Sequence, residues 1–365
     1  MAHPQVPPRT HLLPPVGSLI DALEFPANQI VIGPPGSGKT VLALHAAHRA
    51  AERGPVHFVV ASEHLVRWLR RQVGVAEDIT IGTWRHWLTA EYGRLQHGEA
   101  VPMIDQTRRT IDWSVVPGGR ADADLPSDEF TGQVIVDEAQ DVPIALIRRM
   151  HSWGYAVLAL ADPVQRFADE GSELEDLVDA ISHADPWPVF VLEQDFRTTY
   201  PIQTLATRIW APERLDPSRP AGRDGSPPTI RRASLDAVLE EVDAARGRSH
   251  DGSTAVATSH SDRVAVVTRL QTAGIRVRRS NDDGGPGVHV LPFEALRGLE
   301  FDSVVLVLPE ATSHEHDDAR RLRAHLYVAA TRARHHLSIV VRPGVARELQ
   351  LGLDAFVLDD EGPNA

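Results

Sequence analysis

A chain of 365 residues is long enough for two domains with cores of their own, and 42% hydrophobic with 24% charged residues is an ordinary globular balance. No cysteine occurs, which excludes disulfides, thiolate metal sites, iron–sulfur clusters and a cysteine nucleophile. A formal net charge of −13 means that any basic surface for nucleic acid must be local, so such affinity is expected to be modest and steeply salt-dependent.

In chain order, residues 1–17 carry Pro4, Pro7, Pro8, Pro14 and Pro15 and read as an extended arm. The arm lacks the pattern of a signal peptide and no apolar run approaches bilayer length, so a cytoplasmic protein is expected. A short helix is expected over residues 21–25, then a β-branched strand over 30–32. Gly33-Pro34-Pro35-Gly36-Ser37-Gly38-Lys39-Thr40 follows with the spacing G-x-x-x-x-G-K-[ST], and a helix-favouring stretch over 41–53 comes at once. Strand, glycine-rich loop and helix form the context of a phosphate-binding loop: the glycines let successive N–H groups face phosphate oxygens, Lys39 reaches the β- and γ-phosphates, and the Thr40 hydroxyl binds Mg²⁺. Lys39 is the only lysine; the other 36 of 37 basic residues are arginine. An accidental match at this chain's own frequencies is on the order of 1 in 2000.

Strands are expected over 56–61, 79–81, 133–136 and 156–160, with a helix over 63–73 that places Leu65, Trp68 and Leu69 on one face. Residues 97–131, which include Gly118-Gly119, read as a loop-rich excursion. A second series opens with a strand at 189–192 and a helix at Pro201, then passes a Pro/Gly-rich stretch over 211–228. A helix over 233–245 follows, strands over 254–257, 276–278, 288–291, 303–308 and 337–341, and a helix over 320–334. Strands alternating with helices argue for parallel sheets covered on both faces, in two units divided near residue 188. The expected organisation is an arm over 1–17, a first domain over 18–188, a second over 189–350 and a tail over 351–365.

The apolar run at 134–136 ends in Asp137-Glu138-Ala139-Gln140-Asp141. Acids at the carboxyl end of a buried parallel strand, next to the phosphate-loop strand, stand where open α/β sheets bind ligands. Asp137 is placed to hold Mg²⁺ and Glu138 to orient and deprotonate an attacking water.

That stretch resembles the DEAQD box of superfamily 1 helicases of the UvrD/Rep/PcrA type, and further boxes follow in that family's order across residues 30–341. Thr83-Trp84-Arg85-His86-Trp87-Leu88 is similar to a segment that touches single-stranded DNA, and Leu160-Ala161-Asp162-Pro163-Val164-Gln165 to the box whose glutamine senses the γ-phosphate. Leu192 to Thr199 resembles Q-N-Y-R-S, Arg297-Gly298-Leu299-Glu300-Phe301-Asp302 resembles K-G-L-E-F-D, and Leu326 to Arg334 resembles L-Y-V-A-L-T-R-A-R. The resemblance implies two RecA-like P-loop NTPase domains with parallel sheets flanked by helices, hydrolysing ATP with Mg²⁺ at their interface. It also implies roles: Lys39, Glu138, Gln165, Arg197 and Arg332 in catalysis, Phe196 stacked on the base, Glu300 at the ribose hydroxyl, and Thr40 and Asp137 on the metal. Ser62, Thr83, Trp84, Arg85 and Trp87 would meet single-stranded nucleic acid, DNA in the first instance, although the tryptophans also fit a helix face packed into the core.

The pattern also departs from the family. Pro292 and Glu294 stand where its second-domain box has threonine and histidine, and no N-x-x-Q adenine-reading motif precedes the first strand. The family's large inserted domains have only short segments in their places here. A motor ATPase on single-stranded nucleic acid is the leading expectation. A nucleotide-switched module that regulates a protein partner is the alternative.

Overall fold

The structure is a computed structural model, and it describes residues 14–73, 78–105, 107, 110–118, 131–162, 187–192, 197–210, 223–248, 252–278, 286–296, 299–309 and 316–343. The chain divides into two compact units, residues 1–193 and 194–365.

The first unit runs α1 (Pro14–Ala22), β1 (Gln29–Ile32), α2 (Lys39–Ala51), β2 (Val56–Val60), α3 (Glu63–Val73), β3 (Ile79–Thr83) and α4 (Trp84–Leu95). A small antiparallel pair, β4 (Met103–Asp105) and β5 (Thr110–Ile111), lies in the expected excursion; β6 (Gly132–Asp137), α5 (Ile144–Ser152), β7 (Tyr155–Ala161) and β8 (Val189–Val191) complete the unit. Six strands form one sheet in the order β3-β2-β6-β7-β1-β8, every pairing parallel. Both faces are covered, which explains the near-continuous apolar strands. Val31, Phe58 and Ile135 pack with Ile20, Leu42 and Leu69, while their neighbours Ile30, Val59, Val134 and Val136 pack with Trp87, Leu146 and Trp153. Alternate residues of one strand thus enter two separate cores, as the pleat requires.

Three details differ from the sequence expectation. The strand at 189–191 pairs with β1, Ile30 opposite Val189, so it closes the first sheet instead of opening the second. The strand that carries Asp137 is not adjacent to the phosphate-loop strand, because β7 stands between them. The N-terminal helix begins at Pro14, where a ring fixed near helical φ and lacking an N–H costs least; it buries Val16 and Ile20 against α2. Residues 1–13 and the tail over 351–365 lie outside the described residues.

The second unit runs α6 (Tyr200–Trp210), β9 (Thr229–Arg232), α7 (Ala237–Arg248), β10 (Ser253–Thr258), α8 (His260–Thr272), β11 (Val277–Arg278), β12 (Gly287–Pro292), β13 (Phe301–Val307), α9 (His316–Ala330) and β14 (Ala333–Val341). Its sheet, again wholly parallel, has the order β11-β12-β10-β13-β14-β9. Ser259 caps α8 by accepting from Asp262 N at 3.2 Å. Helix α9 stops at Ala330, earlier than the apolar spacing implies, because Phe301 N donates to the Arg332 carbonyl at 3.0 Å and sheet pairing takes over. Among the described residues, no helix is long and apolar enough to cross a membrane.

Candidate nucleotide-binding site

The loop from Gly33 to Lys39 turns between the end of β1 and the start of α2. Gly36 at φ 76° and Gly38 at φ 90° both lie in the left-handed region, where a side chain is strained. Gly33 is needed for a close approach: a Cβ there would fall 2.6 Å from Ser37 Oγ and 2.9 Å from Leu192 Cβ. Lys39 folds back over the loop and donates through Nζ to the carbonyls of Gly33 at 2.7 Å and Pro34 at 2.8 Å. Two of the ammonium's three donors are thereby committed to holding the loop closed. The Ser37 hydroxyl is fully buried and, among the described residues, has no hydrogen-bond partner. A buried donor without an acceptor is what a phosphate oxygen would satisfy.

The acids reach the loop from across the sheet. Thr40 Oγ1 donates to Asp137 Oδ2 at 2.7 Å, bridging the start of α2 and the end of β6 over the intervening strand. Asp137 is completely buried, and burial pushes its carboxyl up to about 7; the neighbouring Glu138 acts in the same direction, while the Thr40 hydroxyl, Lys39 and the Glu138 N–H oppose it. A hydroxyl and a carboxylate already in contact are hard oxygen donors that fit Mg²⁺, which keeps several waters beside one or two protein oxygens. Among the described residues, no group of three or more His, Cys, Asp or Glu side chains forms a metal cage.

Glu138 sits at φ 57°, ψ 47°, a left-handed backbone that a non-glycine residue adopts at a cost of about 1–3 kcal/mol. Its side chain is held by Gln140, whose Nε2 donates to Glu138 Oε2 at 2.6 Å while its Oε1 accepts from Asp162 N at 3.0 Å. Buried Gln140 therefore ties the end of β6 to the segment after β7, a role that its place in the DEAQD stretch does not announce.

In the second unit Glu300 gathers arginines. Arg197 Nη2 lies 2.7 Å from Oε1, and Arg334 donates to Oε2 from Nε at 3.0 Å and Nη2 at 2.6 Å. Burial would raise the Glu300 carboxyl, but Arg197 and Arg334, with Arg332 behind them, hold it at about 2. Both carboxylate oxygens of Glu300, the residue expected at the ribose hydroxyl, thus serve guanidinium groups. Arg332 is 3% exposed and donates from Nε to the Val328 carbonyl at 3.2 Å, which removes a surface ion pair as its explanation. Arg334, about half exposed, pairs with the same carboxylate as Arg197.

The expected nucleic-acid residues have structural work. Ser62 Oγ accepts from Leu65 N at 3.1 Å at the start of α3, and Thr83 Oγ1 accepts from His86 N at 3.3 Å to cap α4. Trp84 and Trp87 are 5% and 6% exposed. Trp87 stacks on Trp153 with centroids 6.2 Å apart, and Arg85 lies 4.2 Å over the Trp84 ring. Neither indole presents a face for a base, which corrects the stacking expectation in favour of the core. Pro292 ends β12 opposite Thr258. Gln165, Phe196, Arg297 and Gly298 lie outside the described residues, as does the Glu294 side chain.

Residues 287–340 match the model of the UvrD-like helicase C-terminal domain family. No curated protein matches the chain. Among solved structures, the chain is similar to the C-terminal domain of a possible DNA helicase from Lactobacillus plantarum WCFS1, at 23% identity over 44% of this chain and 96% of that one, TM-score 0.35. It is similar to the PRRSV helicase at 18% identity over 92% of this chain and 55% of that one, TM-score 0.44. It is also similar to the Arterivirus nonstructural protein 10 helicase at 16% identity over 89% and 62%, TM-score 0.46. The chain thus spans between half and two thirds of the length of these two viral helicases. The family match lies within the second unit, and each unit is an α/β fold built on an all-parallel six-stranded sheet.

Proposed function

We propose that the protein hydrolyses ATP and uses the turnover to move on single-stranded nucleic acid, with DNA the first substrate to test. The observation that carries the reading is the phosphate loop with its Thr40–Asp137 contact, where an ammonium, a buried hydroxyl and a carboxylate converge on one end of the first sheet. Lys39 and the loop N–H groups would bind the β- and γ-phosphates. Thr40 and Asp137 would hold Mg²⁺, which when bound neutralises phosphate charge. Glu138, oriented by Gln140, would accept the proton of the attacking water. Arg197 and Arg332 would place positive charge on the transferring phosphoryl group; arginines in that role contribute about 10³ to 10⁵ in rate.

ATP turnover measured with and without single-stranded DNA, duplex DNA and RNA tests the proposal. The expected result is turnover stimulated by single strands and abolished in Lys39→Ala and in Glu138→Gln. Activity that survives both substitutions would show that the site is misassigned.

One observation favours a second reading, a nucleotide-switched module that regulates a protein partner: the tryptophans expected to stack on bases are in the core. ATP turnover indifferent to every nucleic acid at low and moderate salt, together with an ATP-dependent protein complex, would select it.

A further inference from the structure

Arg197 precedes α6 and Arg334 stands near the start of β14, yet the two are joined twice. At their side chains, Glu300 takes one guanidinium on each carboxylate oxygen, at 2.7 and 2.6 Å. At their main chains, Arg223 Nη2 donates to the Arg197 carbonyl at 2.5 Å and reaches the Arg334 carbonyl at 3.5 Å, the outer limit for a hydrogen bond. The four residues close a ring. Arg223 is itself fixed by its backbone: its carbonyl accepts from Tyr200 N at 2.9 Å and it pairs as a parallel bridge with Thr199. Two residues on, Gly225 lies so close to Thr199 that a Cβ would fall 2.3 Å from Cγ2. The anchor therefore presses on the segment that carries Arg197, and it belongs to none of the motifs from which the phosphate chemistry is read.

We propose that Arg223 is a positioning residue for Arg197, holding its main chain while Glu300 and Arg334 hold its side chain. The inference rests on the assignment of Arg197 to phosphoryl transfer. Arg223 acts only through Arg197. A guanidinium suits this task because the two N–H bonds of Nη2 diverge in one rigid plane toward the two carbonyls, whereas an ammonium offers a point charge on a flexible stem. An arginine that stabilises developing charge must be in place before the reaction. A displacement of about 1 Å at a reacting group can cost on the order of 10²-fold in rate, and loss of one anchor among several is expected to cost less.

The test is kcat and KM for ATP, at saturating single-stranded DNA, in the full chain carrying Arg223→Gln, Arg223→Lys, Arg197→Ala or Arg197→Ala with Arg223→Gln. Arg223→Gln is expected to lower kcat about fivefold or more while KM stays within about twofold, with an unchanged thermal unfolding midpoint. Arg223→Lys should recover part of the loss. In the Arg197→Ala background, Arg223→Gln should cost nothing further, because the group it positions is gone. Wild-type kcat in Arg223→Gln, or an equal loss in both backgrounds, would overturn the inference. Should Arg223→Gln lower the unfolding midpoint, Arg223→Lys carries the same cycle against Arg197→Ala, and an equal loss in both backgrounds there would overturn it equally. A wild-type chain without ATP turnover brings down the proposed function and the inference with it. Turnover that Lys39→Ala abolishes and Arg223→Gln leaves intact brings down the inference alone.

Discussion

Gln140 holds the Glu138 side chain from outside the phosphate loop. Its amide spans two backbone segments, donating to half-buried Glu138 and accepting from buried Asp162 N. Replacing it with leucine removes the group that orients Glu138 and leaves the Asp162 N–H without that acceptor, and a buried unsatisfied donor costs about 1–3 kcal/mol. Gln140→Leu is therefore expected to lower kcat by about tenfold with little change in KM for ATP, alongside a lower unfolding midpoint; unchanged kcat would remove Gln140 from the mechanism. Glu300 supports a second prediction at this scale. Its carboxyl, ordinarily near 4.5, is held at about 2 by its arginines, so its contribution to stability is fully present above about pH 4.5 and is lost as the pH falls toward 2. The unfolding midpoint of wild type should exceed that of Glu300→Gln at pH 6, and the gap should narrow as the pH is lowered through this window. A gap that stays constant would mean that the Arg197 and Arg334 contacts do not hold in solution.

Among the elements, α4 is where sequence and structure part most instructively. A Trp-Arg-x-Trp-Leu stretch at helical spacing serves equally well as an amphipathic core face or as an aromatic platform, and only the strands it packs against decide. Here β2 and β7 supply His57 and Tyr155 at 6.2 and 5.5 Å from the Trp87 ring, and α5 is followed by Trp153. Deleting a buried tryptophan side chain costs about 3–5 kcal/mol, so Trp87→Ala is expected to lose stability on that scale in denaturant titration. Trp87→Phe, which keeps the core filled, should retain nucleic-acid-stimulated turnover. A folded Trp87→Phe chain with its stimulation gone would restore the ring to the interface. The strand, loop and helix at 29–51 were legible because three local signals coincide there: β-branched residues, glycines at fixed spacing and an alanine-rich helix. The order of strands was not, because β1 meets β7 and β8 through pairings more than a hundred residues apart. Strand β9 was missed for a related reason. Its residues follow a Pro/Gly-rich stretch and become a strand by pairing with β14, Ile230 opposite Ile339.

At the scale of the molecule, each unit has the same construction, a six-stranded parallel sheet covered by helices, and the ring around Arg197 is wholly a property of the second unit. The candidate site residues that sequence spacing brings together without any tertiary contact are those of one local turn, Gly33 to Thr40. Those that it located without their partners, such as Glu300, depend on side chains brought together from Arg197 to Arg334. Net charge sets the last expectation. With 50 acidic against 37 basic residues, the body repels a polyanion at long range, and favourable contact must come from a short basic stripe. Each neutralised phosphate adds about 0.7 to the salt slope of single-strand binding. A small footprint of two to four phosphates thus implies a slope of roughly −1.5 to −3 in a plot of log affinity against log salt. Fluorescence anisotropy with a labelled single strand between low and moderate salt measures that slope directly. A value near zero with undiminished affinity would mean that binding is not electrostatic and would point away from a backbone-tracking motor. A slope in the expected range, paired with ATP turnover that falls along the same curve, would tie the hydrolytic site to the strand.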